Sequence, residues 1–185
     1  IEALQYRKVT AIPAETTARD LGWERPILHA EIMHPQLGTL HLINVHLKSR
    51  LASTVNGQKE NTYTWKSASG WAEGYFLSSI KRVGQALETR TLIDEIFDAD
   101  SAAKIIVCGD FNSEPGEVPV EAICGRVENT NNVSLRSRSL IACSLSIATS
   151  LRYSHIHQGQ GNLLDHILIS QSLLPNFNGA EIQNE

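Results

Sequence analysis

The chain has only 3 cysteines in 185 residues. Cys108, Cys124 and Cys143 are an odd number with no metal-ligand spacing, which excludes a zinc ribbon and a disulfide framework. No apolar run reaches membrane-spanning length, and the stretch from Ile1 does not read as a signal peptide. Cationic charge is scarce too. Lys and Arg number 16 against 20 Asp and Glu, for a net charge of −4. The whole chain lacks the basic balance of a protein held to nucleic acid mainly by charge, which leaves only a local cationic site open. There are no internal repeats and no low-complexity linker, hence no visible domain boundary. What is there is ordinary: 42% apolar and 19% charged residues, in a length that buries a core without staples.

Pro26 to Met33 and Thr39 to Leu47 predict two strands joined by the turn-rich stretch His34 to Gly38. In the second strand, alternation sets Leu40, Leu42, Asn44 and His46 on one face and His41, Ile43 and Val45 on the other. Residues 49–72 are rich in Ser, Thr, Gly and Asn, carry Trp65 and Trp71, and predict a long loop. From Glu73 to Phe97 the pattern is helical. Phe76, Ile80, Val83 and Leu87 form an apolar stripe that a sheet or another helix has to cover. Lys104 to Cys108 reads as a strand buried on both faces, with Cys108 a core thiol. After Gly109-Asp110-Phe111-Asn112 and the turn Ser113 to Gly116, a short helix is expected over Val118 to Cys124. Leu151 to His157 and Asn162 to Ser170 predict a second hairpin about Gln158 to Gly161. Strands interleaved with helices make this an α/β or α+β domain with buried sheets.

The chemistry concentrates in three places. Gly109 lets the backbone turn sharply as a strand ends, and on an extended chain Asp110 and Asn112 project to one side. A carboxylate holds a metal or a water, and an amide both donates to a phosphate oxygen and accepts from water. Gly, Asp and Asn are also common turn residues, so this string alone is equally an ordinary strand exit. The second place is Asn44-Val45-His46-Leu47-Lys48, a strand ending on an amide and an imidazole with a cation beyond. The third is Leu164 to Ser170, an apolar strand carrying the lone acid Asp165, which such a strand carries at a cost unless it is paired. His155 and His157 share a strand face, but Asp165 follows eight residues later rather than two, unlike the compact run of zinc hydrolases.

In this order the three segments resemble the endonuclease/exonuclease/phosphatase superfamily, the deoxyribonuclease-like phosphoesterases. That family has an N-x-H-L strand end, a helix, a hydrophobic strand ending in G-D-F-N, and a later hydrophobic strand with an Asp. Here these are Asn44 and His46, the helix from Glu73 to Phe97, Asp110 and Asn112, and Asp165. The extended forms His46-Leu47-Lys48-Ser49 and Gly109 to Pro115 agree as well, and the resemblance spans roughly residues 25 to 170. It implies a four-layer sandwich, two packed β-sheets flanked by helices. It implies a catalytic set of His46, Asp110, Asn112 and Asp165, with Asp110 and Asn112 at a Mg²⁺ site (Mn²⁺ as the alternative). Asp110 would position the attacking water, Asn112 would hold a phosphate oxygen, and His46 would contact the phosphate or protonate the leaving oxygen. Asn44 and Lys48 would contact phosphate, Arg50 being a further candidate, and Asp165 would orient a general-base histidine.

Two family segments have no counterpart. One is an upstream L-Q-E, whose Glu is the chief Mg²⁺ ligand, and the other a final S-D-H, which supplies the base. Ala3-Leu4-Gln5-Tyr6 has Tyr where Glu belongs and stands too close to Asn44, so it reads as a later strand. The expectation is one domain over residues 1–185, incomplete at both ends, inactive as this polypeptide alone and exposing sheet surface where strands are missing. The implied activity is Mg²⁺-dependent hydrolysis of phosphodiesters, foremost by a nuclease acting on nucleic acid. The alternatives are a lipid or inositol-phosphate phosphoesterase of the same family, or a catalytically dead binding module.

Overall fold

The computed structural model describes residues 25–183, and the Ala3 to Tyr6 segment lies outside them. β1 (Leu28–His34) and β2 (Gly38–His46) form an antiparallel hairpin in which Glu31 faces His41. After β2 the chain runs irregularly into α1 (Ala68–Ala99). It then returns as β3 (Lys104–Asp110), parallel to β2. α2 (Val118–Cys124), the short β4 (Leu140–Ala142), β5 (His155–His157), β6 (Gln160–Asn162) and β7 (Asp165–Ser170) follow. The main sheet has the order β1-β2-β3-β7-β4, and β5-β6 form a two-stranded ribbon. The fold is thus mixed α/β with two sheets and helices. Among the described residues the second sheet is that small ribbon.

Alternation along the strands sorts the main sheet into two unlike faces. Ile43, Val45, Ile105, Val107 and Leu168 point to one side. There they pack with Ala86, Ile93, Ile96 and Phe97 of α1 and with Val120 and Ile123 of α2, around Phe111. Each such side chain contributes about 1.5–3 kcal/mol on burial. The other face is covered only in part: Ile169 is buried with Cys143 and Leu173, against Leu40, Ile106 and Ile141, while Leu28, Ile32 and Ile167 are exposed. β3 is therefore fully buried on its helix side only. Ile106 and Cys108 are half-buried, which corrects the expectation of a strand covered on both faces.

Two further expectations change. The second hairpin is shorter than predicted. It closes through Gln158 and Gly159, both at positive φ, and ends at Asn162. Asp165 opens a separate strand, β7, which pairs antiparallel with β3. The long helix also starts earlier and faces the other way. Its N-cap is Ser67, whose hydroxyl accepts from the Gly70 N–H at 3.0 Å, so Trp71 belongs to the helix and stacks on Tyr75. Phe76, Val83 and Leu87 are exposed, Leu87 by 61%, and Phe76, Ile80 and Val83 line an open groove of about 420 Å³ with Ser79 and Gly84.

The inward side of α1 is polar over its first half and apolar over its second. Ser78, Arg82, Gln85 and Thr89 are buried, and the apolar contacts come from Ala86, Ile93, Ile96 and Phe97. The reason lies in what each half covers. The second half lies on the sheet. The first half covers the irregular segment after β2, whose backbone groups need partners. Arg82 Nη1 donates to the carbonyls of Lys48 at 3.2 Å and Ser49 at 3.1 Å. Gln85 Oε1 accepts from the Lys48 N–H at 2.6 Å, and Ser78 Oγ donates to Leu51 O at 2.6 Å. Helix and segment approach so closely that a Cβ on Gly74 would lie 2.3 Å from the Ser53 carbonyl oxygen.

Candidate active site at the strand ends

Because β2 and β3 are parallel, their C-terminal ends lie side by side, and His46 faces Asp110. Because β7 is antiparallel to β3, its first residue, Asp165, faces Asp110 from the other side. Three segments far apart in sequence thus meet at one end of the sheet. His46 Nε2 is 3.3 Å from Asp110 Oδ2, with the two side chains 48% and 33% exposed. Asn44 lies two residues back on the same face, its amide directed at Cys108 Sγ at 3.5 Å. Lys48 Nζ donates to Ser49 Oγ at 3.2 Å just beyond.

Gly109 is needed for this arrangement. Its φ is +132°, and a Cβ there would lie 2.0 Å from the Val45 carbonyl oxygen. Only glycine lets β3 bend against β2 at this point. The chain does not remain extended past Asp110, as the sequence reading supposed. Asn112 takes a left-handed conformation, φ +48°, which Asn adopts more readily than most residues. Its backbone N–H donates to Asp110 Oδ1 at 2.8 Å, and its side-chain amide donates to Leu47 O at 3.0 Å. Asn112 thereby fixes the Asp110 carboxylate and ties the two strand ends together. The amide keeps a second N–H as a donor and its Oδ1 as an acceptor.

The surroundings rigidify the site. Arg50, a candidate phosphate contact, donates from Nε to Asn112 O at 3.0 Å and pairs with Glu114 at 3.3 Å and Glu117 at 2.9 Å. It holds the loop rather than presenting a free cation. The Asp165 N–H donates to Ser154 Oγ at 3.1 Å, which also accepts from Leu164 N–H. His166, on the opposite face from Asp165, is buried against the Phe111 ring, with Nε2 2.8 Å from Ser113 O. That contact requires an Nε2–H. Burial pushes its pKa down, against the opposing pull of the Ser113 carbonyl, Asp165 and Asp110. His166 thus has a structural role, packing on Phe111 and bonding the Ser113 carbonyl. His155 and His157 stack on each other in the β5-β6 ribbon, away from β7.

Asp110 and Asp165 stand directly opposite on neighbouring strands, a like-charge pair that a cation relieves. Asp110 and the Asn112 amide oxygen are oxygen donors that fit Mg²⁺, which takes one or two carboxylates and keeps water and phosphate oxygens in its remaining positions. No three His, Cys, Asp or Glu ligand atoms converge here among the described residues. The sequence reading missed the residues that support the site, namely Arg82, Gln85, Ser78 and Ser154. A signal for the first three existed. Ser78, Arg82, Gln85 and Thr89 repeat at four, three and four, the same spacing as the apolar stripe Phe76, Ile80, Val83 and Leu87.

An acid–imidazole pair at adjoining strand ends, with an Asn-bearing bend and a facing carboxylate, thus lies at one end of the main sheet of a mixed α/β domain. A sequence profile of the Endonuclease/Exonuclease/phosphatase family matches residues 44–180, and the chain belongs to that family. No curated protein matches it significantly. Among solved structures it is similar to the human Nocturnin catalytic domain with bound sulfate, at 20% identity and a TM-score of 0.45. That alignment covers 88% of this chain and 44% of the other. It is also similar to a β-hairpin deletion mutant of beta toxin from Staphylococcus aureus, at 13% identity and a TM-score of 0.43, covering 87% and 49%. A beta toxin variant with bound magnesium ions aligns at 13% identity and a TM-score of 0.37, covering 80% and 43%. The chain spans less than half the length of each of these structures.

Proposed function

We propose that the protein carrying this chain is a metal-dependent phosphoesterase that hydrolyses phosphodiesters, foremost a nuclease. The observation that supports this is the His46–Asp110 pair at 3.3 Å, with Asn112 locked beside it, inside the region matching the family. Phosphodiester hydrolysis needs an attacking water held in line, relief of charge on the phosphate oxygens, and a stabilised leaving oxygen. Asp110 orients the water. Asn112 and Asn44 bring amide donors to the phosphate, and Lys48 adds a cation nearby. His46, half-exposed and held by Asp110, protonates the leaving oxygen or steadies the phosphate. Asp165 orients the base. Asp110, aided by the Asn112 amide oxygen, would hold Mg²⁺ or Mn²⁺, which supplies Lewis-acid polarisation of the phosphate when bound.

The test is plasmid nicking and cleavage of a chromogenic phosphodiester by the whole protein with Mg²⁺. Asp110→Asn should abolish both, and full retention would remove Asp110 from the chemistry. A lipid phosphodiester is the second reading, favoured by the exposed Trp71–Tyr75 stack and the open apolar stripe on α1. Such faces suit an interfacial enzyme. Preferential cleavage of sphingolipid vesicles over nucleic acid, lost in Trp71→Ala, would select it.

A further inference from the structure

The opposite end of β2 carries a cluster that the phosphoesterase reading does not use. Glu31 and His41 are direct partners across the β1-β2 hairpin, and His29 lies two residues from Glu31 on the same face. His29 Nε2 is 3.1 Å from His41 Nδ1, and the rings stack at 5.3 Å with an interplanar angle of 25°. Glu31 Oε1 is 4.0 Å from His41 Nδ1. The three ligand atoms all lie within 4.8 Å of one another, the one such group among the described residues. His41 is 16% exposed and Glu31 65%, so the cluster is sheltered on one side and open to solvent on the other.

We infer that His29, Glu31 and His41 form a binding site for a divalent transition cation of the zinc class. Three facts support this. The first is ligand chemistry. Two imidazole nitrogens and a carboxylate suit zinc, whereas Mg²⁺ prefers oxygen alone. The second is spacing. Ligands about 2.0–2.1 Å from tetrahedral zinc stand about 3.3 Å apart, and the observed 3.1 and 4.0 Å straddle that value. The third is the facing nitrogens. Two imidazole nitrogens this close share one proton at most, and a cation replaces that proton on both. Water would fill the fourth position.

The remaining histidines are otherwise accounted for. His34 Nδ1 accepts two backbone N–H groups in the hairpin turn, His166 is committed to Ser113, and His46 to Asp110. His155 and His157 pair only with each other among groups of this kind. The cluster is separate from the strand-end site. His41 and His46 are five residues apart on one strand, about 17 Å, and point to opposite faces of the sheet. A metal there would staple β1, an edge strand among the described residues, to β2.

The test uses the whole protein with Asp110→Asn and His46→Gln, which disables the strand-end site. It is stripped with a chelator and titrated with Zn²⁺ or Co²⁺. One equivalent should bind, give the visible bands of four-coordinate cobalt, and raise Tm. Adding His41→Gln or His29→Gln should remove the bands and the Tm rise. Adding Glu31→Gln, at an exposed position that leaves the fold intact, should weaken zinc about tenfold or more. Unchanged bands and affinity in all three variants would overturn the site. So would failure of the parent protein to bind zinc more tightly than the variant lacking both hairpin histidines.

Discussion

β2 ends on a histidine in one direction and carries another near its start, and the two are held in opposite ways. His46 meets Asp110 because three distant segments converge, a glycine yields to a carbonyl, and an asparagine bends left-handed. His41 meets His29 and Glu31 because a hairpin folds back on itself and its pleat puts every second residue on one side. The strand-end site therefore depends on supports outside its own strands. The hairpin site follows from register, which stacks the two imidazoles on each other and sets the Glu31 carboxylate beside them.

That contrast makes the strand-end site the more fragile under mutation, and the expected effects are graded. Asp110→Asn should lower phosphodiester turnover by about 10³-fold or more, while His41→Gln leaves kcat/KM within about twofold. A large kinetic effect of His41→Gln would erase the distinction between the two ends. Asp165→Asn should cost about 10²-fold in kcat with the circular dichroism spectrum unchanged, and wild-type kcat would remove Asp165 from the site. Gly109→Ala should destabilise by about 2–4 kcal/mol in urea, from overpacking against Val45 and from its positive φ. Arg82→Met, which leaves the Lys48 and Ser49 carbonyls without their donor, should cost about 1–3 kcal/mol. It should also raise KM, because those carbonyls fix the segment that follows His46. Stability equal to wild type would show that α1 does not hold that segment.

The smallest expected effect is a pH dependence. His166 is buried with its pKa below the ordinary 6.5. Between its lowered value and 6.5 the unfolded chain takes up a proton that the folded chain refuses. Stability from this group is therefore whole above pH 6.5 and declines as pH falls below it. His166→Gln should flatten the acid limb of a Tm-against-pH curve relative to wild type, and an unchanged limb would show that His166 titrates alike in both states.

Much of this was readable in the residues, for identifiable reasons. The first hairpin, β3 and α2 announce themselves because alternation, a β-branched run and flanking turn residues agree with one another. His46, Asp110 and Asn112 stand out because each belongs to a short string of fixed spacing, and Asp165 because it is the lone acid of an apolar strand; the structure sets His46 Nε2 3.3 Å from Asp110 Oδ2. Helix α1 was misread because periodicity reports that a stripe exists, not what lies beneath it. Its first half covers backbone rather than sheet, so the polar stripe went in and the apolar one out. The Asp165 strand was placed in the wrong hairpin because Asn162 and Asp165 are separated by no strong turn residue. The His29–Glu31–His41 cluster carries no string at all. It becomes visible only when the hairpin register is written out and Glu31 is seen opposite His41.

The connectivity also orders the two ends in time. His29 and His41 are 12 residues apart in sequence, whereas Asn44 and Cys108, beside the strand-end site, are 64 apart. Closing a short hairpin takes microseconds, while pairing two parallel strands across a long helical crossover waits on the slower search for distant contacts. A cation captured at the hairpin would thus be in place while His46 and Asp110 are still strangers, making the β1-β2 ribbon a ready template onto which β3 adds.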